Sequence, residues 1–161
     1  MMQGFGNSTF SEMTADDQRV MQEQGFVTQY EDQTGKIYVS QRTQTFICEI
    51  LLPYMPIEDF KNLLLQKGLL IKQFGCRKFI FDKRAIRGFH QPSMEWYYAV
   101  WKPKMQEKFG LQIHRKLFTN EEWFRKCVEV GRAEIRRKYP NSIVHQMDIK
   151  MCETMREAIN T

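Results

Sequence analysis

The pattern of apolar and polar residues near the start of the chain predicts three antiparallel strands. Residues 26–30 alternate between apolar and polar side chains, as expected for a half-buried strand. A turn at residues 32–35 leads to a return strand at 36–40, and the two strands form a hairpin. Residues 45–52 are rich in apolar and β-branched side chains, and we predict a third strand there that ends at Pro53.

The middle of the chain repeats its apolar positions at helical spacing instead. This spacing predicts an amphipathic helix over 56–73, and a compact apolar run then predicts a buried strand over 78–82. A second helix is predicted over 93–109. Because Pro103 lies inside it, we expect this helix to kink or break near Trp101.

The last third of the chain continues the alternation of strands and helices. We predict a strand over 111–118, a helix over 121–138, a strand over 142–147 and a closing helix over 151–159. This alternation requires crossover connections and therefore some parallel pairing. The predicted fold is α/β (α+β), with a mixed β-sheet of five or six strands that starts with an antiparallel meander and is covered by three or four helices.

Length and composition place these elements in one domain behind an arm. The chain has 161 residues, of which 42% are hydrophobic, and this is enough for a core without metal or disulfide cross-links. Residues 1–22 are polar and rich in Gly, Ser, Thr and Gln, which predicts a flexible N-terminal arm with a short helix over 11–22. Residues 23–161 form the single predicted domain.

The net charge of +5 is unevenly distributed along the chain. Residues 1–66 hold four basic and nine acidic side chains, whereas residues 67–161 hold twenty basic and ten acidic ones. Such asymmetry suits an acidic partner or simply gives a solvated basic surface. The basic residues lie on different predicted elements and are mixed with glutamates, so we do not expect nucleic acid as a partner.

The expected compartment is the cytoplasm. No apolar run is long enough for a membrane span, and the first residues lack the pattern of a secretory leader. The four cysteines, at positions 48, 76, 127 and 152, are too widely spaced for a Cys-x-x-Cys motif. Reduced thiols in a cytoplasmic protein are therefore expected.

Motifs for catalysis or metal binding are lacking. His90, His114 and His145 are isolated from one another and from the cysteines, and neither His-Glu-x-x-His nor Gly-x-Ser-x-Gly occurs. We therefore predict no catalytic residues, no cofactor and no metal, and we expect that the protein is not an enzyme.

The candidate binding site is the loop after the predicted strand 78–82. Ligands of open α/β sheets usually bind at the carboxyl ends of such strands. The loop offers charged and polar groups, namely Asp82, Lys83, Arg84, Arg87, His90 and Ser93. If Ser93 caps the second helix, the free N–H groups of that helix and the two arginines could hold a phosphate or carboxylate. Alternatively, these charges are solvated and Asp82 pairs with a neighbouring arginine.

Aromatic side chains of the second helix form a second group of candidates. Trp96, Tyr97 and Trp101 lie on this helix together with Tyr98. Some of them must belong to the core. The others could line an apolar pocket or a subunit interface, where Trp and Tyr are enriched.

Several segments together resemble a known family. They are residues 79–82 followed by Lys-Arg, the second-helix set Trp96, Trp101 and Pro103, residues 109–111, and residues 157–159 in the last helix. Their order and spacing resemble the small bacterial STAS-like proteins, relatives of the anti-sigma-factor antagonists that share features with lipid-carrying Sec14-type domains. The resemblance covers residues 25–160 and implies a role in binding rather than catalysis.

One family motif is missing from the chain. Anti-sigma-factor antagonists carry a phosphorylatable serine in an Asp-Ser-Ser-Gly segment at the start of the helix after the central strand. Ser93 lies in roughly that place, but its neighbours are Gln91, Pro92 and Met94. The sequence therefore does not predict a kinase-operated switch.

Two functions follow as hypotheses. The first is a non-enzymatic, STAS-like regulatory domain that acts through protein–protein interaction, either with a partner protein or as a homodimer. The second is a carrier or sensor of a small apolar or acidic ligand, lipid-like in character and held between the sheet and the second helix. In that case Arg84, Arg87 and the helix end at Ser93 receive the acidic group.

Overall fold

A computed structural model of the chain describes residues 11–161. The strands are β1 Val27–Glu31, β2 Gly35–Ser40, β3 Thr45–Ile50, β4 Lys78–Lys83, β5 Ile113–Phe118 and β6 Asp148–Met151. The helices are α1 Ala15–Glu23, α2 Ile57–Phe74, α3 Gln91–Trp96, α4 Lys102–Phe109, α5 Glu122–Lys138 and α6 Met155–Asn160. A π-helical turn, Tyr97–Trp101, joins α3 to α4, and a 3₁₀ turn, Ile143–Gln146, precedes β6.

The six strands form one mixed sheet in the order β1-β2-β3-β4-β5-β6. The first three strands pair antiparallel, and β3 to β6 pair parallel. The predicted mixed sheet with an antiparallel start is therefore confirmed. Because the parallel strands advance in one direction and crossovers share one hand, their connecting helices lie on the same face. This face carries α2, the α3–α4 unit and α5, whose side chains share one apolar core.

The two faces of the sheet are covered differently. On the face below α2 to α5, the strands contribute Phe46, Phe79 and Phe81 to the larger core. On the opposite face, Ile47 and Ile80 pack with side chains from α1 and α6. Because successive side chains of β4 point to opposite faces of the sheet, this strand contributes alternately to the two cores.

The predicted break in the second helix occurs as a widened turn. Pro103 has no N–H to donate to a preceding carbonyl. Just before it, the Lys102 N–H bonds the carbonyl of Tyr97, five residues back, so the chain passes through a π-helical turn. The helix continues beyond it as α4 and ends at Gly110, which adopts the left-handed conformation.

Two predicted elements near the C-terminus differ from the structure. The predicted strand 142–147 is wrong, because Ser142 accepts a hydrogen bond from the Val144 N–H and starts a 3₁₀ turn. The strand of this region is β6, which pairs with β5 from Asp148 onward. The closing helix begins at Met155 rather than at 151, because Thr154 caps it.

Part of the predicted arm is helical. In α1, Thr14 and Asp17 form a reciprocal capping box, and Val20 and Met21 pack into the smaller core. The first ten residues of the predicted arm lie outside the described part of the chain. Within residues 11–161, none of the helices has the length and apolar character needed to cross a membrane.

Candidate functional site

Arg84, predicted as an anion-binding residue, is already engaged by two carboxylates. Its Nε and Nη2 donate to the two carboxylate oxygens of Asp82 at 2.9 Å each, and its Nη1 lies 2.9 Å from Asp17 Oδ2. All three side chains lie on the α1 side of the sheet and are largely buried. The alternative interpretation, that Asp82 pairs with a neighbouring arginine, describes this arrangement.

Arg87 is also engaged within the protein. Its guanidinium donates to the carbonyls of Arg84, at 2.6 Å, and Ile86, at 3.1 Å, and it forms an ion pair with Glu12 at 3.3 Å. The side chain remains half-buried at the rim of the loop. Arg84 and Arg87 therefore fasten the loop and α1 to the body of the protein.

The helix cap predicted at Ser93 is displaced by three residues. Helix α3 begins at Gln91, and its cap is His90, whose Nδ1 accepts from the Ser93 N–H at 3.3 Å. The helix can start this early because Pro92 suits a first-turn position, where its missing N–H costs nothing. The Ser93 hydroxyl lies 2.8 Å from the same His90 nitrogen. The prediction of Ser93 as the cap is thus wrong, although Ser93 and His90 do lie together.

A cavity of about 70 Å³ lies between the sheet and α3. It opens at the carboxyl ends of β4 and β5, where Lys83 and Phe118 are register partners. Three predicted site residues line it, namely His90, Ser93 and Tyr97. The remaining walls are mainly apolar: Met55, Phe60, Ile86, Phe89, Met94, Phe124 and Val128.

Lys83 supplies the amino group of this cavity. It is the last residue of β4 and points away from Asp82, because neighbouring strand residues face opposite sides. Its Nζ lies 4.5 Å from the ring centre of Phe118 and 4.9 Å from that of Phe81. It forms no ion pair with any described residue, and residues 1–10 contain neither Asp nor Glu.

Lys83 belongs to a set of four lysines on this face, which we call the buried lysine cluster. Three of them, Lys67, Lys102 and Lys116, are fully buried, and Lys83 is half-buried at the cavity. The Nζ of Lys67 lies 3.8 and 3.7 Å from the ring centres of Phe79 and Phe81. The Nζ of Lys102 lies 4.2 Å from the ring centre of Tyr98, and Lys116 Nζ donates to Tyr98 Oη at 2.5 Å.

Burial lowers the pKa of every lysine in this cluster. Desolvation lowers the pKa of Lys67 to about 7, and desolvation together with Lys67 and Arg132 lowers the pKa of Lys83 to about 7. Desolvation also holds the pKa values of Lys102 and Lys116 well below the ordinary range of lysine. A cation–π contact is worth about 2 kcal/mol when desolvated, whereas burying a charge costs several kcal/mol, so desolvation prevails.

Of the three aromatic candidates, only Tyr97 reaches the cavity. Trp101 is buried beneath α2, where its Nε1 donates to the carbonyl of Leu64 at 3.1 Å. Trp96 is half-buried and packs edge-on against Phe60. These positions make Trp101 a core residue and leave Tyr97 as the aromatic wall of the site.

Sequence reasoning missed the lysine cluster, although a signal for it exists. Lys67 continues the apolar stripe of α2 formed by Leu63, Leu64 and Ile71. Such a lysine in phase with a core stripe is a candidate for burial, because lysine is rarely buried without a partner. In the same way Lys83 is in phase with Phe79 and Phe81 along β4.

Within residues 11–161, no three His, Cys, Asp or Glu side chains come together as a metal site. Comparisons of the chain with protein-family models, with curated proteins and with solved structures found no match. The functional argument therefore rests on the geometry of the cavity and the lysine cluster.

Proposed function

We propose that the protein carries or senses a small ligand with an apolar body and one acidic group, held in the cavity between the sheet and α3. The observation that carries this proposal is Lys83, an amine without an acidic partner among the described residues, at the wall of an apolar cavity. Apolar pockets with a few convergent polar groups are the usual form of small-molecule sites.

The cavity defines the kind of ligand. Its volume is about five times the ~15 Å³ that one water molecule requires, which suits a compact organic acid. The aromatic walls offer contact to a hydrocarbon chain, and Lys83 offers an ammonium group to a carboxylate. Ser93 and His90 add polar groups on the α3 side.

Binding of an acid by Lys83 should depend on pH. A bound carboxylate stabilises the ammonium form, so ligand binding is coupled to protonation of an amine whose pKa in the free protein is about 7. Affinity is then greatest below pH 7. Well above that pH it falls by about tenfold for each pH unit, until the pKa of the bound complex is reached.

Butyrate and butanol form a matched pair of probes, because they share a four-carbon chain and differ in the acidic group. We expect calorimetry to show butyrate binding at pH 6 that weakens by at least about tenfold at pH 8.5. Butanol should bind more weakly, with little dependence on pH. Equal affinity for both probes, or butyrate binding independent of pH, would contradict the proposal.

A pair of lysine variants provides the control. Lys83→Met should abolish the preference for butyrate over butanol, whereas Lys104→Met changes an exposed lysine of α4 and should leave it intact. Native mass spectrometry of protein gently purified from its own host supplies an independent test. A carrier should retain an extra mass of a small acid, and protein consistently free of ligand would count against carriage.

The STAS-like interaction module is the second candidate. It is favoured by apolar side chains exposed on two helices, Leu65 (59%) and Leu69 (63%) on α2 and Val130 (70%) on α5. Leu65 and Leu69 are four residues apart and therefore lie on one helix face. If this face joins two copies, sedimentation should show a dimer that Leu65→Gln dissociates. A monomer at all concentrations would remove the homodimer.

A further inference from the structure

We propose that Lys83 also forms a reversible covalent imine with small apolar aldehydes or ketones that enter the cavity. This inference rests on the proposed function, since it uses the same cavity. It differs in the form of the amine it requires, because nucleophilic attack needs the neutral amine whereas carboxylate binding needs the ammonium.

The geometry leaves Lys83 free to react. Its Nζ faces the rings of Phe118, Phe81 and Tyr97 at 4.5, 4.9 and 5.6 Å from their centres. The preceding residue, Asp82, faces the opposite side of the sheet, where Arg84 occupies both of its oxygens. The nearest carboxylate along the chain therefore cannot hold Lys83 as an ammonium.

The surrounding groups disfavour the charge on Lys83. Other titratable or charged groups line the cavity, belong to the buried lysine cluster or act on Lys83. They are Lys67, His90, Tyr97, Lys102, Lys116 and Arg132. None of these is a carboxylate. Desolvation with a neighbouring cation is a known way to prepare a lysine for attack on a carbonyl group.

The reaction is balanced without any further reagent. The Nζ lone pair attacks the carbonyl carbon, and one proton passes from the nitrogen to the carbonyl oxygen to give a carbinolamine. The second Nζ proton then leaves with the hydroxyl group as water, and the carbon–nitrogen double bond forms. The hydroxyl of Ser93 and the imidazole of His90 line the same cavity and are 2.8 Å apart, so they form a path for the transferred proton.

Selectivity for Lys83 over other lysines has a physical basis. At pH 7.5 an amine with a pKa of about 7 is about three quarters neutral, whereas an exposed lysine with a pKa of ~10.4 is only ~0.1% neutral. Lys67 has a similar pKa but is fully buried between two phenylalanine rings. Lys78, with a pKa of about 8, donates to the Ile159 carbonyl at 2.9 Å on the other face.

The test treats the wild-type protein with butanal and sodium cyanoborohydride at pH 7.5, so that any imine is reduced to a stable secondary amine. Peptide mass spectrometry then locates the adduct. We expect one butyl group on Lys83, added on the order of 100-fold faster than at the exposed Lys104. The rate should rise with pH and level off above about pH 7.5. Butyrate should protect Lys83.

The outcomes separate this inference from the proposed function. Labelling of Lys83 no faster than that of Lys104 overturns the imine, and if butyrate still binds, the proposed acid site stands. If Lys83 is not labelled preferentially and butyrate does not bind, both the imine and the proposed acid site are overturned. Lys83→Arg keeps a cation but cannot form the imine, so it should lose labelling and retain butyrate binding. The comparison of lysines within the wild-type protein remains decisive even if a variant fails to fold.

Discussion

Replacing Lys67 by methionine should stabilise the protein near neutral pH. The Lys67 side chain is fully buried, and its Nζ has no hydrogen-bond partner among the described residues. Its neighbours are the rings of Phe79 and Phe81 and the Cys48 thiol, and a methionine side chain of similar length can also contact them. The substitution therefore removes the desolvated amine while retaining most of the packing.

The size of the effect follows from the pKa of Lys67 in the two states. The pKa is about 7 in the folded protein and 10.5 for an ordinary lysine, and each tenfold change in proton affinity corresponds to about 1.4 kcal/mol. Burying Lys67 thus costs about 4–5 kcal/mol at pH 7 and below. Between pH 7 and 10.5 the unfolded chain binds more protons, so wild-type stability rises with pH. The advantage of Lys67→Met shrinks by about 1.4 kcal/mol per pH unit over that range.

Urea unfolding at pH 6.5, 7.5 and 8.5 measures both quantities. Higher pH is avoided, because thiols ionise near pH 8.5 in an unfolded chain whereas burial raises the pKa of Cys48 to about 11. Lys72→Met, an exposed position on the same helix, serves as the control and should leave the slope unchanged. A destabilised Lys67→Met protein with the wild-type pH slope would show that Lys67 is charged in the folded state and would refute the reasoning.

The remaining predictions concern packing and the engaged arginine. Gly35→Ala should destabilise by about 1–3 kcal/mol in urea unfolding, because its Cβ would lie 2.7 Å from the Glu49 carbonyl oxygen. Gly68→Ala should instead stabilise by about 0.5–1 kcal/mol, since its Cβ meets nothing closer than 3.7 Å on a helix; equal effects would contradict this contrast. Arg84→Met should cost about 3–5 kcal/mol, because it leaves two buried carboxylates unpaired, whereas a free ligand-binding arginine could be replaced with no loss of stability.

The parts of the fold that sequence reasoning predicted are those with a clear period. The hairpin over 26–40 and the helix over 56–73 each have regularly spaced apolar residues, and the structure places β1, β2 and α2 there. The first strand is mostly exposed rather than half-buried, because it is an edge strand of the sheet. The predicted C-terminal strand is misplaced because β6 is a short, largely exposed edge strand with two apolar residues, Ile149 and Met151, whereas the segment 142–147 before it has three. For such a strand, pairing with β5 decides the position, and pairing is a tertiary property.

The candidate site was only partly predictable. The rule that ligands bind at the carboxyl ends of parallel strands located the right end of the sheet, where His90, Ser93 and Tyr97 line the cavity. It could not show that Arg84 turns to the other face, because Asp17 on α1 is far away in sequence. In the sequence, Lys83 is one loop charge among several, and its lack of an ion-pair partner among the described residues is visible only in three dimensions.

The measurement that tests the account most directly is the titration of Lys83 itself. Proteins labelled with ¹³C-lysine allow the Cε resonance of each lysine to be followed with pH, and Lys83→Arg identifies the Lys83 signal by its disappearance. The account predicts a pKa for Lys83 of about 7, raised by saturating butyrate. A pKa near the ~10.4 of an exposed lysine, unaffected by butyrate, would contradict both the acid site and the reactive amine.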